Sequence, residues 1–316
     1  MRTVVLGGAW SSNIGNAFYN LGAEWLVRRI QQDAIFFPES PRWKFDVKRD
    51  FDPIGELDCE LVVLVGPCLN RRLEFVYGQT FEKLYERGVM VGYISAGMGE
   101  YSEEEAEKVG AFLLRFPPRF ISTRDDATLE MIRPFSKCPT FSGLCTSMFL
   151  NDAINPPHLK GSKRYIVLNF DSNKEPEFIF DTSGTAIKTD RTAKHPPLEV
   201  NGYRVIRTSN LGIDKGVSEI YRKPSTYHSD LPLGYCSILQ GAECVYSERV
   251  HTCAAALILG SKVQFVQHSA RSFEKRNLLF DRIGVKGIFK TPCQLDMAFI
   301  AKEKLAMTTF LRQVLS

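Results

Sequence analysis

The chain has 316 residues, of which 44% are hydrophobic and 24% charged, with a net charge of +4. That length suits two domains of roughly 150 residues each, and the composition supplies a real core for both. The charge is too mild for the basic surface of a nucleic-acid binder, and no apolar run reaches the roughly 18 residues of a transmembrane helix.

Strand-like and helix-like segments alternate through the first half. Thr3 to Leu6 reads as a strand and Ala17 to Ile30 as an amphipathic helix. Cys59–Val65 and Val89–Ser95 are further buried strands, with a helix over Glu74–Arg87 between them. A helix over Ser102–Phe116 opens with the Ser102/Glu105 spacing of a capping box. A short strand at Phe120–Ser122 and a helix over Asp125–Arg133 follow. Asn155-Pro156-Pro157-His158 and Gly161-Ser162 mark a linker. The pattern restarts at Tyr165–Phe170 and resumes at Tyr203–Arg207, whereas 171–200 is polar, broken by prolines and hard to read. Leu233–Gln240, Glu274–Ile283 and Leu295–Leu315 are helical. Continuous apolar strands alternating with helices predict an α/β fold with parallel sheets covered on both faces. The expected organisation is a Rossmann-like domain over 1–150, a linker over 151–163, a second Rossmann-like domain over 164–290 and a C-terminal helix over 291–316 that packs back on the first domain. Between two such domains a cleft is the usual place for a small-molecule site.

The eight cysteines form no C-x-x-C pair, and several fall inside apolar patterns, so they read as reduced core residues. That usage, together with an apolar N-terminus too short for a signal peptide, predicts a cytoplasmic protein. His158, His195, His228, His251 and His268 lack metal-ligand spacing, so no metal is expected.

The densest functional signal is Ser247-Glu248-Arg249-Val250-His251. It lies between the apolar run Cys244–Tyr246 and an alanine-rich helix that stops at Gly260; Val263–Val266 is the next strand. Ser247 is the expected cap. A helix start carries orphan N–H groups and the positive end of the dipole, so an arginine and a histidine there suit a phosphate or carboxylate. Side chains at i and i+2 are not neighbours on a regular helix. The two converge only if Arg249 lies at the cap and His251 in the first turn.

Other strand ends are suggestive. Gly7-Gly8-Ala9-Trp10-Ser11-Ser12-Asn13-Ile14-Gly15-Asn16 is a glycine-bearing turn that fits neither G-x-G-x-x-G nor a P-loop. It is either a ligand-facing loop or a spacer between strand and helix. Gly66-Pro67-Cys68 and Ser95-Ala96-Gly97-Met98-Gly99 permit close approach. Arg124-Asp125-Asp126 reads as a helix cap with a local ion pair, or as an anion contact. No G-x-S-x-G elbow or Cys–His partnership supports nucleophilic catalysis. Arg191, Lys194, Arg204, Arg207, Lys215, Arg222 and Lys223 read mostly as solvated face residues.

Taken in order, the Asn13-Ile14-Gly15-Asn16 turn, the strand ending at Gly66, Gly97-Met98-Gly99, Arg124-Asp125-Asp126 and Arg249-Val250-His251 resemble the polysaccharide pyruvyl transferase family. The match runs from about residue 4 to 284, and Lys275 fits the lysine that opens the helix after the family's Arg-Leu-His strand–helix–strand unit. Asn16 stands where the family often has aspartate, and Gly66-Pro67-Cys68 replaces a run of glycines. The resemblance implies a GT-B-like pair of domains and a metal-independent transferase of polysaccharide or exopolysaccharide biosynthesis. Phosphoenolpyruvate would be the co-substrate, with no cofactor besides, and its enolpyruvyl group would pass to two sugar hydroxyls as a pyruvate ketal. Arg249 and His251 would then be the catalytic pair, with Arg249, Lys275 and Arg124 binding the donor. Asn13, Gly15 and Asn16 would face the acceptor, a sugar or a lipid-linked glycan. A lipid-linked acceptor would hold the protein at the inner face of the membrane without a spanning segment. The alternatives are a GT-B-type glycosyltransferase using a nucleotide sugar, and a non-catalytic sugar- or anion-binding protein of the same fold.

Overall fold

The computed structural model describes residues 1–38, 54–159, 164–171, 175–180, 186–192, 197–212, 221–266 and 273–316; within strands 176–180 and 186–192 and at 273–277 only the backbone is described. Two compact units result. The first comprises Met1–Ala9, Tyr19–Phe149 and Ala298–Ser316, and the second Trp10–Phe18 and Leu150–Met297.

The first unit is built on a six-stranded parallel sheet. Its strands are β1 (Thr3–Leu6), β2 (Ile35–Phe37), β3 (Leu61–Val65), β4 (Met90–Ala96), β5 (Phe120–Thr123) and β6 (Thr140–Ser142), in the spatial order β2-β1-β3-β4-β5-β6. Every residue of β1 and β3 is buried, as strands sandwiched between helices require. Each buried Val or Leu contributes about 1.5–3 kcal/mol of transfer free energy. The connecting helices are α1 (Gly15–Arg28), α2 (Leu73–Glu86), α3 (Glu103–Arg115) and α4 (Asp126–Ile132). Phe81, Phe112 and Phe116 pack in tilted and edge-to-face pairs between α2 and α3, with centroids 4.9 to 5.7 Å apart. The short edge strands β2 and β6 carry no run long enough for sequence periodicity to reveal.

In the first unit, cap chemistry follows the sequence with one difference. Ser102 caps α3 by accepting from the Glu105 N–H at 3.2 Å. The Glu105 carboxylate, 2% exposed, does not return to the cap as a capping box would. Its Oε2 instead accepts from the N–H groups of Gly99 (3.2 Å), Glu100 (2.6 Å) and Tyr101 (2.9 Å). The glycine turn after β4 is thus fastened by the protein's own carboxylate.

The second unit carries another six-stranded sheet. Along its main path the order is β10 (Glu199–Val200), β11 (Tyr203–Thr208), β7 (Tyr165–Asn169), β13 (Cys244–Ser247) and β14 (Lys262–Phe265), and β12 (Thr226–Tyr227) also pairs with β11. Only β10 runs antiparallel. A separate antiparallel hairpin, β8 (Pro176–Phe180) and β9 (Ala186–Thr192), occupies part of the stretch that sequence left unread. Helices α5 (Leu150–Ala153), α6 (Pro232–Gln240), α7 (Val250–Ile258) and α8 (Phe273–Arg282) complete the unit. α5 takes the start of the expected linker, and 160–163 lie outside the described residues.

The final helix, α9 (Met297–Leu315), belongs to the first unit from Ala298 onward. Met307, Leu311 and Leu315 recur every four residues, and all are fully buried. Arg119 Nε donates to the Val314 carbonyl at 2.9 Å, and Phe310 stacks on Phe141 at 5.1 Å.

Two sequence expectations are corrected. Arg207 is no surface residue: it forks onto Glu175 through two 2.8 Å bonds, and both side chains are at least 96% buried. Two further bonds run from Nη1 to the Pro224 carbonyl and from Nη2 to the Pro197 carbonyl, so four of the five guanidinium N–H groups are held. Ser247 is not the cap of α7, as the site geometry shows.

Candidate functional site

The second unit collects polar residues where three adjacent parallel strands end. Asn169 closes β7, Ser247 closes β13, and Asn210 follows β11. Carboxyl ends of parallel strands are where open α/β sheets bind ligands. In register, Asn169 pairs with Ser247, so both side chains emerge at the same level.

α7 starts at this edge. Arg249 is its N-cap, with extended backbone (φ −104°, ψ 116°), and its carbonyl accepts the first helical bond from Cys253 N–H at 3.0 Å. Ser247 Oγ instead accepts from the Arg249 N–H at 2.9 Å and donates to Asn169 Oδ1 at 2.7 Å, fixing the bend from strand to helix. Arg249 therefore lies at the cap and His251 in the first turn, the arrangement their spacing demands. At the far end Gly260 adopts φ +96°, a left-handed stop that suits glycine.

A buried network ties this helix start to distant chain. Asn210, 3% exposed, is the hub. Its Nδ2 lies 3.0 Å from Thr252 Oγ1, and its Oδ1 accepts from Asn169 Nδ2 at 3.0 Å. The Asn210 N–H donates to Asp171 Oδ2 at 2.8 Å, and its carbonyl accepts from Ile14 N–H at 3.1 Å. Asp171 Oδ2 in turn takes the Arg249 Nε–H at 3.2 Å. The Asp171 N–H is held by Glu248 Oε1 at 2.7 Å. Burial pushes the Asp171 carboxyl above its ordinary pKa, against the opposing effects of Arg249 and the Asn210 N–H. Asp171 aims the guanidinium through one edge, as a carboxylate orients a functional arginine.

The Asn13–Asn16 turn belongs to the same site, because residues 10–18 fall in the second unit and not with the N-terminal sheet. Asn13 pairs with Leu211 in a single β-bridge, and its Oδ1 accepts from Gly15 N–H at 3.1 Å. Gly15 opens α1. A Cβ placed on it would meet Asn210 Nδ2 at 2.8 Å, Asn13 Oδ1 at 3.0 Å and His251 Cβ at 3.5 Å. Two helix starts thus converge on His251, and only glycine leaves room between them. Asn16, 8% exposed, lies in the first turn of α1, with its N–H bonded to the Asn13 carbonyl at 2.9 Å. Two helix N-termini with Arg249 and His251 make a strongly anion-attracting corner.

Arg124 and Lys275, the other two expected donor contacts, stand as follows. Arg124 belongs to the first unit, at the end of β5, with Nε 3.7 Å from Asp125 Oδ2 and directly under Gly97. Asp125 caps α4 by accepting from Thr128 N–H at 2.7 Å and also accepts from Tyr101 Oη at 2.8 Å. Lys275 is in α8, but its side chain lies outside the described residues. Burial pushes the thiols of Cys68, Cys236 and Cys244 up to about 12, which leaves them poor nucleophiles.

Sequence reasoning missed Asn169, Asp171, Asn210 and Thr252. The available signal was polar residues directly after apolar strands, Asn169 closing Tyr165–Phe170 and Ser209-Asn210 following Tyr203–Thr208.

No protein-family model matches the chain, and no curated protein matches it. Solved structures do. The chain resembles UDP-GlcNAc 2-epimerase from Neisseria meningitidis bound to UDP-GlcNAc, with TM-score 0.52 at 7% identity, covering 99% of this chain and 100% of that one. It also resembles a Listeria monocytogenes protein assigned as a UDP-N-acetylglucosamine 2-epimerase, with TM-score 0.51 at 10% identity, covering 97% and 95%. The α/β, GT-B-like fold class is thereby shown over nearly the whole chain. Among the described residues no helix is long and apolar enough to cross a membrane.

Proposed function

We propose that the chain is a sugar-processing enzyme of GT-B-like fold that binds the anionic group of an activated donor where α1 and α7 begin. The observation that carries this reading is Arg249 at the N-cap of α7, aimed by Asp171, with His251 in the first turn beside Gly15. Arg249 binds phosphate or carboxylate, and His251 transfers a proton or holds the leaving phosphate.

The donor we favour is phosphoenolpyruvate, on the strength of the ordered motif resemblance. The reaction then has two steps. A proton goes to the methylene carbon while a sugar hydroxyl adds to C2, giving a methyl-bearing phosphoryl ketal. The C2–O bond to phosphate then breaks, and a second hydroxyl of the sugar closes the pyruvate ketal as its proton passes to a base. The proposal calls for no bound cofactor, and the acceptor is a sugar or lipid-linked glycan, so the enzyme would work in the cytoplasm or at the inner membrane face.

A second reading is supported by the fold likeness: a nucleotide-sugar enzyme whose diphosphate takes the same anion corner. Phosphate release from phosphoenolpyruvate with a panel of sugar acceptors tests the first reading, and UDP-GlcNAc turnover the second. Arg249→Ala and His251→Ala should abolish whichever activity is found. Full activity in both variants would sink the site.

A further inference from the structure

His228 has no part in the proposed donor chemistry, yet it lies on the same carboxyl edge. It directly follows β12, which runs parallel to β11 with Thr208 opposite Tyr227, just as Ser209 and Asn210 follow β11. Its Nδ1 lies 3.3 Å from the hydroxyl of Tyr235, a residue of α6 that is 2% exposed.

The bonds around that hydroxyl determine the histidine's tautomer. The Tyr235 hydroxyl donates to the Ser209 carbonyl at 2.8 Å, because a carbonyl can only accept. It accepts from the Ser229 N–H at 3.0 Å. A phenol has one proton and two lone pairs, so the second lone pair faces His228 and Nδ1 must carry the hydrogen. Burial raises the Tyr235 phenol well above its ordinary pKa, which keeps that proton in place. Neutral His228 therefore presents Nε2 as a bare acceptor. Nε2 is buried and has no hydrogen-bond partner among the described residues. A shielded lone pair left unpaired is costly and calls for a donor.

We infer that His228, oriented by Tyr235, is a second histidine of this site and accepts a hydrogen bond from a hydroxyl of the sugar substrate. The inference rests on the proposed sugar-processing function for the identity of the ligand, and on the Tyr235 bonds for the tautomer.

Long-range proton–nitrogen NMR of the full-length protein tests both parts. Without ligand, His228 should show a protonated Nδ1 and an unprotonated Nε2, and Tyr235→Phe should shift that balance; a protonated Nε2 in the unaltered protein overturns the inference. Phosphoenolpyruvate with galactose, glucose and mannose, and separately UDP-GlcNAc, should then move the His228 Nε2 resonance. If His251 responds to a donor and His228 to none, the function stands and this inference falls. If neither histidine responds, the proposed function fails and takes this inference with it. In turnover, His228→Ala should lose up to about tenfold in kcat/KM, the worth of one buried hydrogen bond, and His228→Gln should recover part of it. Unchanged turnover in His228→Ala overturns the assignment.

Discussion

Arg249 donates from Nε to Asp171 Oδ2 across 3.2 Å, and the carboxylate is 3% exposed where the guanidinium is 25% exposed. The buried member is the one that orients, and the more accessible member is the one that can meet a ligand. Asp171→Asn keeps the shape and removes the charge. Loss of a charge-assisted bond of about 1.5–3 kcal/mol should raise the donor KM by tenfold or more, with kcat changing less. Steady-state kinetics check this, and a fall confined to kcat would contradict it.

The same pair sets a pH dependence. Because burial raises the Asp171 pKa, the folded chain holds that proton more tightly than the unfolded chain. Asp171 thus favours folding below the unfolded pKa, and that stability is lost as pH rises through the folded value. Arg249 offsets the loss by stabilising the ionised form. Arg249→Ala should therefore cost most stability at pH 8 and progressively less as pH falls toward the unfolded Asp value, read from urea midpoints at each pH. A cost that does not change with pH would show that the pair is not coupled.

Asn210 and Thr252 should behave as one unit. Asn210→Ala leaves Asn169 and Thr252 short of partners, a cost of about 1–3 kcal/mol for each buried group. A double-mutant cycle with Thr252→Val should give a coupling of about 0.5–3 kcal/mol, whereas additivity would deny the hub role.

Gly15→Ala tests the convergence of the two helix starts. Its Cβ would press on Asn210 Nδ2 at 2.8 Å, so the turn must shift against the start of α7. The variant should fold, because alanine suits a helix, yet bind inorganic phosphate several-fold more weakly by calorimetry.

In the first unit, Glu105→Ala should destabilise more than Ser102→Ala. The first leaves three N–H groups without their shared acceptor. The second removes one cap bond, worth about 1 kcal/mol. Equal costs from chemical denaturation would mean that the Gly99–Tyr101 turn does not depend on Glu105.

The sequence by itself determined what is local. Period and apolar runs placed β1, β3, β4, β7 and β13 and the helices between them. Cap residues placed the starts of α3 and α4, and Gly260 placed the end of α7. Arg249 and His251 were legible because a helix start after a buried strand is a local event with a known electrostatic character. Tertiary structure alone decided which distant pieces meet. Nothing near Asn13 says that its turn belongs with Asn210 and His251, since one β-bridge and a few amide bonds settle it. Asn169, Asp171 and Asn210 read locally as ordinary polar strand ends, and Arg207 as a surface cation, until Glu175 is placed against it. The return of α9 to the first unit was foreseen only as a direction of packing, and the contacts of Phe310 with Phe141 and of the Val314 carbonyl with Arg119 gave it a place. Local rules fix conformation through nearest neighbours, whereas a buried polar group is specified by its partner, and here those partners lie far away along the chain. Arg249 opened the question as a basic residue at a helix start, and only Asp171 gives its guanidinium a direction.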